Sequence, residues 1–321
     1  MKKTLLSLLM LGAMASVNAQ ESIYFSGFDG SNANMDAEGW IRTNQSSPST
    51  TTTWGNGAWV PPIASPLFGG TTPVGQEGGL NSFAFVNYSS TGTVSPTGTL
   101  VGTGTISNWF ITPEIPVKDG DIVSFWTRKG TESTSPNADF ADRLEFRMST
   151  AATTVVPSGG SAGLGSFTTL GLSVNPNLLT GFVYPKVWTK YTYVVSGVPT
   201  ETLVRFAFRY FVTNAGPEGL NSDMIGIDSF GVDRTLSTND FFAKNFSMYP
   251  NPANGIVTLS AKNNTAINSV QITDLNGRIV KNSNTNGISE AQINISDLNT
   301  GMYFVTVKTD AGSGTKKKKK N

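Results

Sequence analysis

The sequence predicts an all-β protein, a jelly-roll β-sandwich followed by a small immunoglobulin-like β-sandwich. Three observations lead there. Alternating apolar and polar residues recur along the chain, whereas residues 20–234 show no helical periodicity. The 321 residues include 34 Gly, with abundant Thr, Ser and Asn, as expected for many turns between short strands. Finally, Tyr249-Pro250-Asn251-Pro252 divides the chain. Each proline fixes φ, lacks an N–H and biases the residue before it toward extended backbone. The four predicted segments are a signal peptide over residues 1–19, a large β domain over 20–234, a linker over 235–246 and a small β domain over 247–321. The large segment is long enough for one sizeable core.

The chain starts with Lys2-Lys3, an apolar run over residues 5–14 and Val17-Asn18-Ala19 before Gln20. This is the pattern of a secretory signal peptide cleaved between Ala19 and Gln20. The apolar run falls short of the ~20 residues that span a bilayer, and no other stretch approaches that length. A soluble mature protein with no transmembrane segment is therefore expected. Further on, Val204, Phe206, Phe208 and Tyr210 share one face of a strand, with Arg205 and Arg209 on the other. Leu144, Phe146 and Met148 do the same, leaving Glu145 on the polar face, where pairing with an arginine is the ordinary outcome. Residues 23–25, 83–86, 122–126, 188–195 and 224–227 add further runs. Such half-buried strands belong to antiparallel sheets with one wet face. Residues 46–79 and 151–176, rich in Gly, Ser, Thr and Pro, read as loops.

Composition excludes several chemistries. The chain has no Cys and no His, hence no disulfide, thiolate nucleophile, lipoprotein acceptor, imidazole base or ordinary zinc site. The formal charge is +1, but Lys2, Lys3 and residues 316–320 supply seven of the 23 basic groups. Residues 4–315 carry 16 basic against 22 acidic groups, a net of −6, the wrong sign for a nucleic-acid partner. An enzyme would have to use a carboxylate pair. Glu38, Glu77, Glu114, Glu132, Glu145, Glu201 and Glu218 are available but lie in no recognisable motif, so a non-enzyme is expected. The rival reading is a carbohydrate-active hydrolase, or its carbohydrate-binding accessory module, using carboxylates and loop tryptophans. Trp54 and Trp59, in Trp54-Gly55-Asn56-Gly57-Ala58-Trp59, are the candidate ligand-binding residues, since indole faces suit the apolar face of a sugar.

Past the proline pair, Asn254-Gly255 forms a turn into Ile256-Val257-Thr258-Leu259-Ser260. Residues 270–273 and 278–280 flank Asp274-Leu275-Asn276-Gly277, a hairpin in which Asn-Gly supplies the positive φ. Gly301 precedes Met302-Tyr303-Phe304-Val305-Thr306-Val307, the most β-prone run of the tail. In order, Tyr249-Pro250-Asn251-Pro252, Gly255, the Asp274/Gly277 turn, residues 293–298, Gly301-Met302-Tyr303 and a lysine-rich end resemble the type A C-terminal sorting domain of the Bacteroidetes type IX secretion system. That resemblance implies secretion across the outer membrane to the cell surface or medium. The partners it implies are the secretion machinery and a surface protease that removes the tail, leaving the cargo attached to lipopolysaccharide or released. One departure is the uninterrupted Lys316–Lys320 run, where relatives interleave apolar residues. Mutual repulsion predicts a disordered end.

In the large segment, Phe28-Asp29, Gly39-Trp40, Trp109-Phe110-Ile111-Thr112-Pro113, Ser124-Phe125-Trp126, Asp142-Arg143-Leu144-Glu145, Trp188, the 204–210 strand and Ile227-Asp228 resemble the choice-of-anchor J or cleaved-adhesin domain, a MAM-like jelly roll. The resemblance implies an adhesin-like surface module with a glycan or a host or matrix protein as ligand. It also implies a structural Ca²⁺, with Asp29 and Asp228 as ligands and Asp142 as a third.

Overall fold

The computed structural model describes residues 20–56, 73–80, 82–131, 138–262 and 265–321. The chain divides into two units, Ser22–Arg234 and Thr235–Asn321, the second also containing the N-terminal residues through Glu21. In chain order the first unit has β1 (Gln20–Ser26), a short helix α1 (Asn32–Ala37), β2 (Ile41–Asn44), β3 (Gly55–Asn56), β4 (Ala84–Asn87), β5 (Thr93–Val94), β6 (Leu100–Val101), β7 (Gly104–Ile111), β8 (Ile115–Val117), β9 (Ile122–Lys129), β10 (Leu144–Ser149), β11 (Thr169–Val174), β12 (Thr189–Val194), β13 (Thr202–Ala215) and β14 (Met224–Thr235).

Two six-stranded sheets face each other. One runs β12-β9-β14-β4-β3 with β1 on β14, the other β11-β10-β13-β7-β2 with β8 on β13. The pleat sends alternate side chains to opposite faces, so Val123 and Phe125 of β9 meet Phe206 and Phe208 of β13 inside. Phe125 and Phe208 pack edge to face at 4.9 Å across the two layers. Trp40 stacks on Phe110 at 4.3 Å. Aromatic pairs of this kind add to plain area burial.

The second sheet departs from the expected wet outer face. Glu145, Arg147 and Arg209, which point away from the core, are buried as well. The cover comes from residues 151–168, expected to be a plain loop. The Phe167 carbonyl accepts from Arg147 Nη1, and the Ser161 carbonyl from Arg209. The remainder of that predicted loop, Thr169–Val174, is β11, paired with β10.

The second unit has α2 (Thr238–Asn245), β15 (Phe246–Tyr249), β16 (Ile256–Ala261), β17 (Ile267–Thr273), β18 (Ile279–Ile288), β19 (Glu290–Asn294), β20 (Gly301–Thr309) and β21 (Gly312–Lys320). Its sheets are β15-β16-β19 and β18-β17-β20-β21, closing over Val257, Leu259, Val270, Ile272, Ile293, Val305 and Val307. The hairpin turn forms at Asp274, whose Oδ1 accepts from the Asn276 and Arg278 amides, with Gly277 at φ 80°.

Two expectations for this unit are corrected. Residues 238–245 of the expected linker are a helix. Ser237 caps it by accepting the Asp240 amide, and Phe241 and Phe242 are buried in the small core. Gly314 permits this docking, because a Cβ there would lie 2.8 Å from the Phe242 backbone nitrogen. The lysine run is not a disordered end but part of β21, paired with β20 from Gly312 to Lys320. Strand geometry places successive lysines on opposite faces, so nearest neighbours in sequence do not face each other. Lys317 and Lys319 are exposed, while Lys318 and Lys320 turn inward.

Candidate functional site

Asp228 lies on β14 next to Ile227, whose side chain is in the core, so its own carboxylate turns to the outer face of the sheet. The β9 and β14 register slips between Asp228 and Gly231, and Ser229 has φ 48°. This bulge presents the carboxylate to the glycine-rich residues 75–80 and to Ser82. Asp228 Oδ2 accepts the amides of Gln76 (2.5 Å) and Glu77 (3.1 Å), Oδ1 accepts the Ser229 amide, and Ser229 Oγ donates to Gln76 Oε1. Burial pushes the Asp228 carboxyl up to about 7, outweighing those amides, and the negative charge of Asp29 adds to the rise.

Asp29 follows Phe28, which is buried with a positive φ. The same segment brings it close. A Cβ on Gly78 would lie 2.7 Å from Asp29 Oδ1, and one on Gly75 2.7 Å from Asp228 Oδ2 and 2.1 Å from Ser82 Oγ. The glycines thus keep open a cradle walled by two carboxylates and by the Glu77 and Gly79 carbonyls, Gly79 O already accepting from Ser82 Oγ. An all-oxygen wall with one buried, charge-starved carboxylate fits a hard cation such as Ca²⁺ with water completing the shell. Among the described residues no group of three or more His, Cys, Asp or Glu gathers as a metal cluster.

Asp142 does not join this site. It is fully buried, taking the Tyr210 hydroxyl and the Asp223 amide on Oδ1 with the Lys129 ammonium 3.1 Å from Oδ2. Lys129 pairs with Ile225, three positions along β14 from Asp228, or roughly 10 Å at strand rise. The Lys129 side chain also enters the opposite face of the sheet.

Trp54 is not a ligand platform either. It is completely buried, stacked on Phe110 at 5.7 Å, and donates from Nε1 to the Asn108 carbonyl. Trp59 and Ala19 lie outside the described residues. Glu145 sits among Arg143, Arg147 and Arg209. Burial alone would raise its pKa, but the Arg147 hydrogen bond and the neighbouring guanidinium charges hold it below the usual range. It is a charge anchor held by three cations.

In the second unit the tail motifs converge. Asn251 Oδ1 accepts the Lys319 amide, the Ala253 amide donates to the Lys319 carbonyl, and Lys318 Nζ donates to the Pro250 carbonyl. The proline stretch is therefore the clasp that holds β21. Tyr303 is buried and donates its hydroxyl to the Asn299 carbonyl. Gly255 immediately precedes β16, with open space at its Cβ position, and Gly301 opens β20.

Residues 247–320 match the secretion system C-terminal sorting domain family. The tail is a type IX sorting domain. It directs export across the outer membrane, to the cell surface or extracellular space. Among solved structures, the chain is similar to the K1 cleaved adhesin domain of Lys-gingipain from Porphyromonas gingivalis W83. That match has 16% identity and a TM-score of 0.37, and covers 67% of this chain and 98% of that one. The K3 cleaved adhesin domain of the same protein matches at 15% identity and a TM-score of 0.38, covering 66% and 98%. None of the curated proteins matches the chain. No helix among the described residues is long and apolar enough to cross a membrane.

Proposed function

We propose that the Ser22–Arg234 unit is an adhesin-like binding module of the choice-of-anchor J type, displayed at the surface of a Bacteroidetes cell after type IX export and removal of the tail. The observation that carries this reading is the sorting domain, which stands behind a separately cored β-sandwich that it can deliver already folded. The module's work is binding rather than catalysis, with a glycan or a host or matrix protein as ligand. Its buried carboxylates support this, since Glu145 is neutralised by arginines and Asp142 by Lys129. A reporter fused to residues 235–321 should reach the surface or medium of a type IX-competent host and stay in the periplasm of a strain lacking the system. A reporter that stays in the periplasm of both strains would refute the export half of the reading.

The cradle between Asp29 and Asp228 is the place for a structural Ca²⁺. Both carboxylates and the adjacent carbonyls would hold it, and the ion would supply the positive charge that the buried Asp228 lacks. Melting of the full chain should drop on adding EDTA and recover with excess calcium, while Asp228→Asn should show neither change. An EDTA-indifferent melt of the unsubstituted chain would remove the metal from this reading.

A further inference from the structure

On the opposite face of the sheet from the Asp29 and Asp228 cradle, the first sandwich holds a second charged cluster. Lys129, the last residue of β9, has the inward parity of Val123 and Phe125, and its side chain is 1% exposed. An ammonium in such a place is tolerated only when closely paired. Its Nζ contacts Asp139 Oδ1, donates to the Phe140 carbonyl at 2.6 Å and lies 3.1 Å from Asp142 Oδ2. The Asp139 side chain is 6% exposed and that of Asp142 is fully enclosed.

The remaining atoms are disposed around these three. Asp139 Oδ2 accepts the Phe182 amide at 2.6 Å, and Phe182 holds φ 60°, a left-handed backbone that non-glycine residues keep only where their surroundings enforce it. Asp142 Oδ1 is fixed by Tyr210 and the Asp223 amide, while Oδ2 accepts no hydrogen bond and faces Nζ. The Phe182 ring closes one side, 5.9 Å from Nζ.

We propose that Lys129 and Asp139 condense without a partner enzyme into an intramolecular isopeptide bond, with Asp142 as the proton carrier. The ammonium hands one proton to Asp142 Oδ2, and the freed Nζ lone pair attacks Asp139 Cγ. Charge gathers on Oδ2, where the Phe182 N–H receives it as an oxyanion donor does. The proton on Asp142 and a second one from Nζ pass to Oδ1, and the Cγ–Oδ1 bond breaks with loss of one water. Ammonium and carboxylate thus become a neutral secondary amide whose single N–H faces the Phe140 carbonyl. Nothing is oxidised or reduced, and Asp142 ends as it began.

The environment favours each step. Burial pushes the Asp142 carboxyl above the usual carboxylate range despite Lys129 and Tyr210, so it can hold the transferred proton. Burial also works to lower the Lys129 pKa, but Asp142 and Asp139 together hold it above its ordinary value. The proton therefore leaves only to a group already touching Nζ. Fixed contact between amine and carboxyl replaces the bimolecular encounter that makes amide formation slow in water. The product removes two buried charges, and with them the desolvation that keeping the pair requires. It also staples the end of β9 in one sheet to the segment that enters β10 in the other.

Intact-mass spectrometry of the purified, folded full chain tests this directly. The expected mass is below that of the sequence by one water, and digestion should give a branched peptide joining Lys129 to Asp139 with no tryptic cut after Lys129. Asp139→Asn should still close, with loss of ammonia in place of water, which separates condensation at this site from any other dehydration. Lys129→Arg should carry the full mass. Asp142→Asn should close at least tenfold more slowly during refolding, as followed by mass. A folded chain of full mass, with Lys129 cut normally by trypsin, would overturn the proposal. An Asp142→Asn chain that closes at the original rate would overturn the role given to Asp142.

Discussion

Two lysines, one in each sandwich, point inward from a strand and meet opposite fates. Lys129, as the ion pair that precedes amide closure, finds two carboxylates within the first core that hold its charge in place. Lys318 enters the second core beside Val257, Leu259, Ile293 and Tyr303, where only the Pro250 carbonyl and Asn251 Oδ1 receive it. Correspondingly, the charged form of Lys129 is favoured, while burial lowers the Lys318 pKa. The same buried side chain thus keeps its charge in one domain and is pressed to lose it in the other, and what decides is whether the first contact is an anion or a dipole.

The sharpest way to break this contrast is Lys129→Met. It leaves Asp139 and Asp142 buried with neither the cation nor the amide that Lys129 would form, and the first unit should lose about 3–5 kcal/mol in urea unfolding of the full chain. An effect below ~1 kcal/mol would mean that the cluster is hydrated and the contrast is false. Next comes Asp228, an anion that lacks a cation in the first unit. Its folded pKa is raised to about 7 from 3.8, so the stability it allows is full below its unfolded value and is lost as pH rises through 7. In EDTA the first unit should weaken by roughly 2 kcal/mol between pH 4 and 7, and calcium or Asp228→Asn should flatten that slope. A slope that persists in Asp228→Asn would place its origin elsewhere.

The smallest effect is in the tail, where Lys318→Leu should stabilise the second unit by about 1 kcal/mol, measured as the shift of its own melting transition. The lowered Lys318 pKa gives a sign as well. The folded tail sheds the proton before the unfolded chain does, so its stability should rise with pH up to about 10.5, the ordinary lysine value. The leucine variant should lack this rise, and a tail weakened by Lys318→Leu would show that the ammonium is an asset there.

What could be read from the sequence followed the range of the interaction. The inward faces of residues 144–148 and 204–210, and the Asp274/Gly277 turn, are set by neighbours a few positions away. The proline stretch was legible as a break, yet its role as a clasp was not, because its partner Lys319 lies 68 residues on. Asp142 was misplaced for the same reason, its surroundings coming from β9, β13 and the Asp223 amide. The burial of Trp54 depends on Phe110 and Asn108, likewise far off. Two further features have local signals in the sequence. Ser237 three positions before Asp240 is a helix-start signal within the supposed linker. In the lysine run, contiguity suggests repulsion, but period two governs charge spacing in a strand.

The helix α2 has a practical corollary for anyone grafting this tail onto foreign cargo. Sequence similarity begins at residue 247, but Phe242 packs on Phe246 at 5.6 Å and its backbone fills the notch left by Gly314. A tag trimmed to the similarity boundary would carry an uncovered greasy notch into the periplasm. The transferable piece starts upstream, at about Thr235.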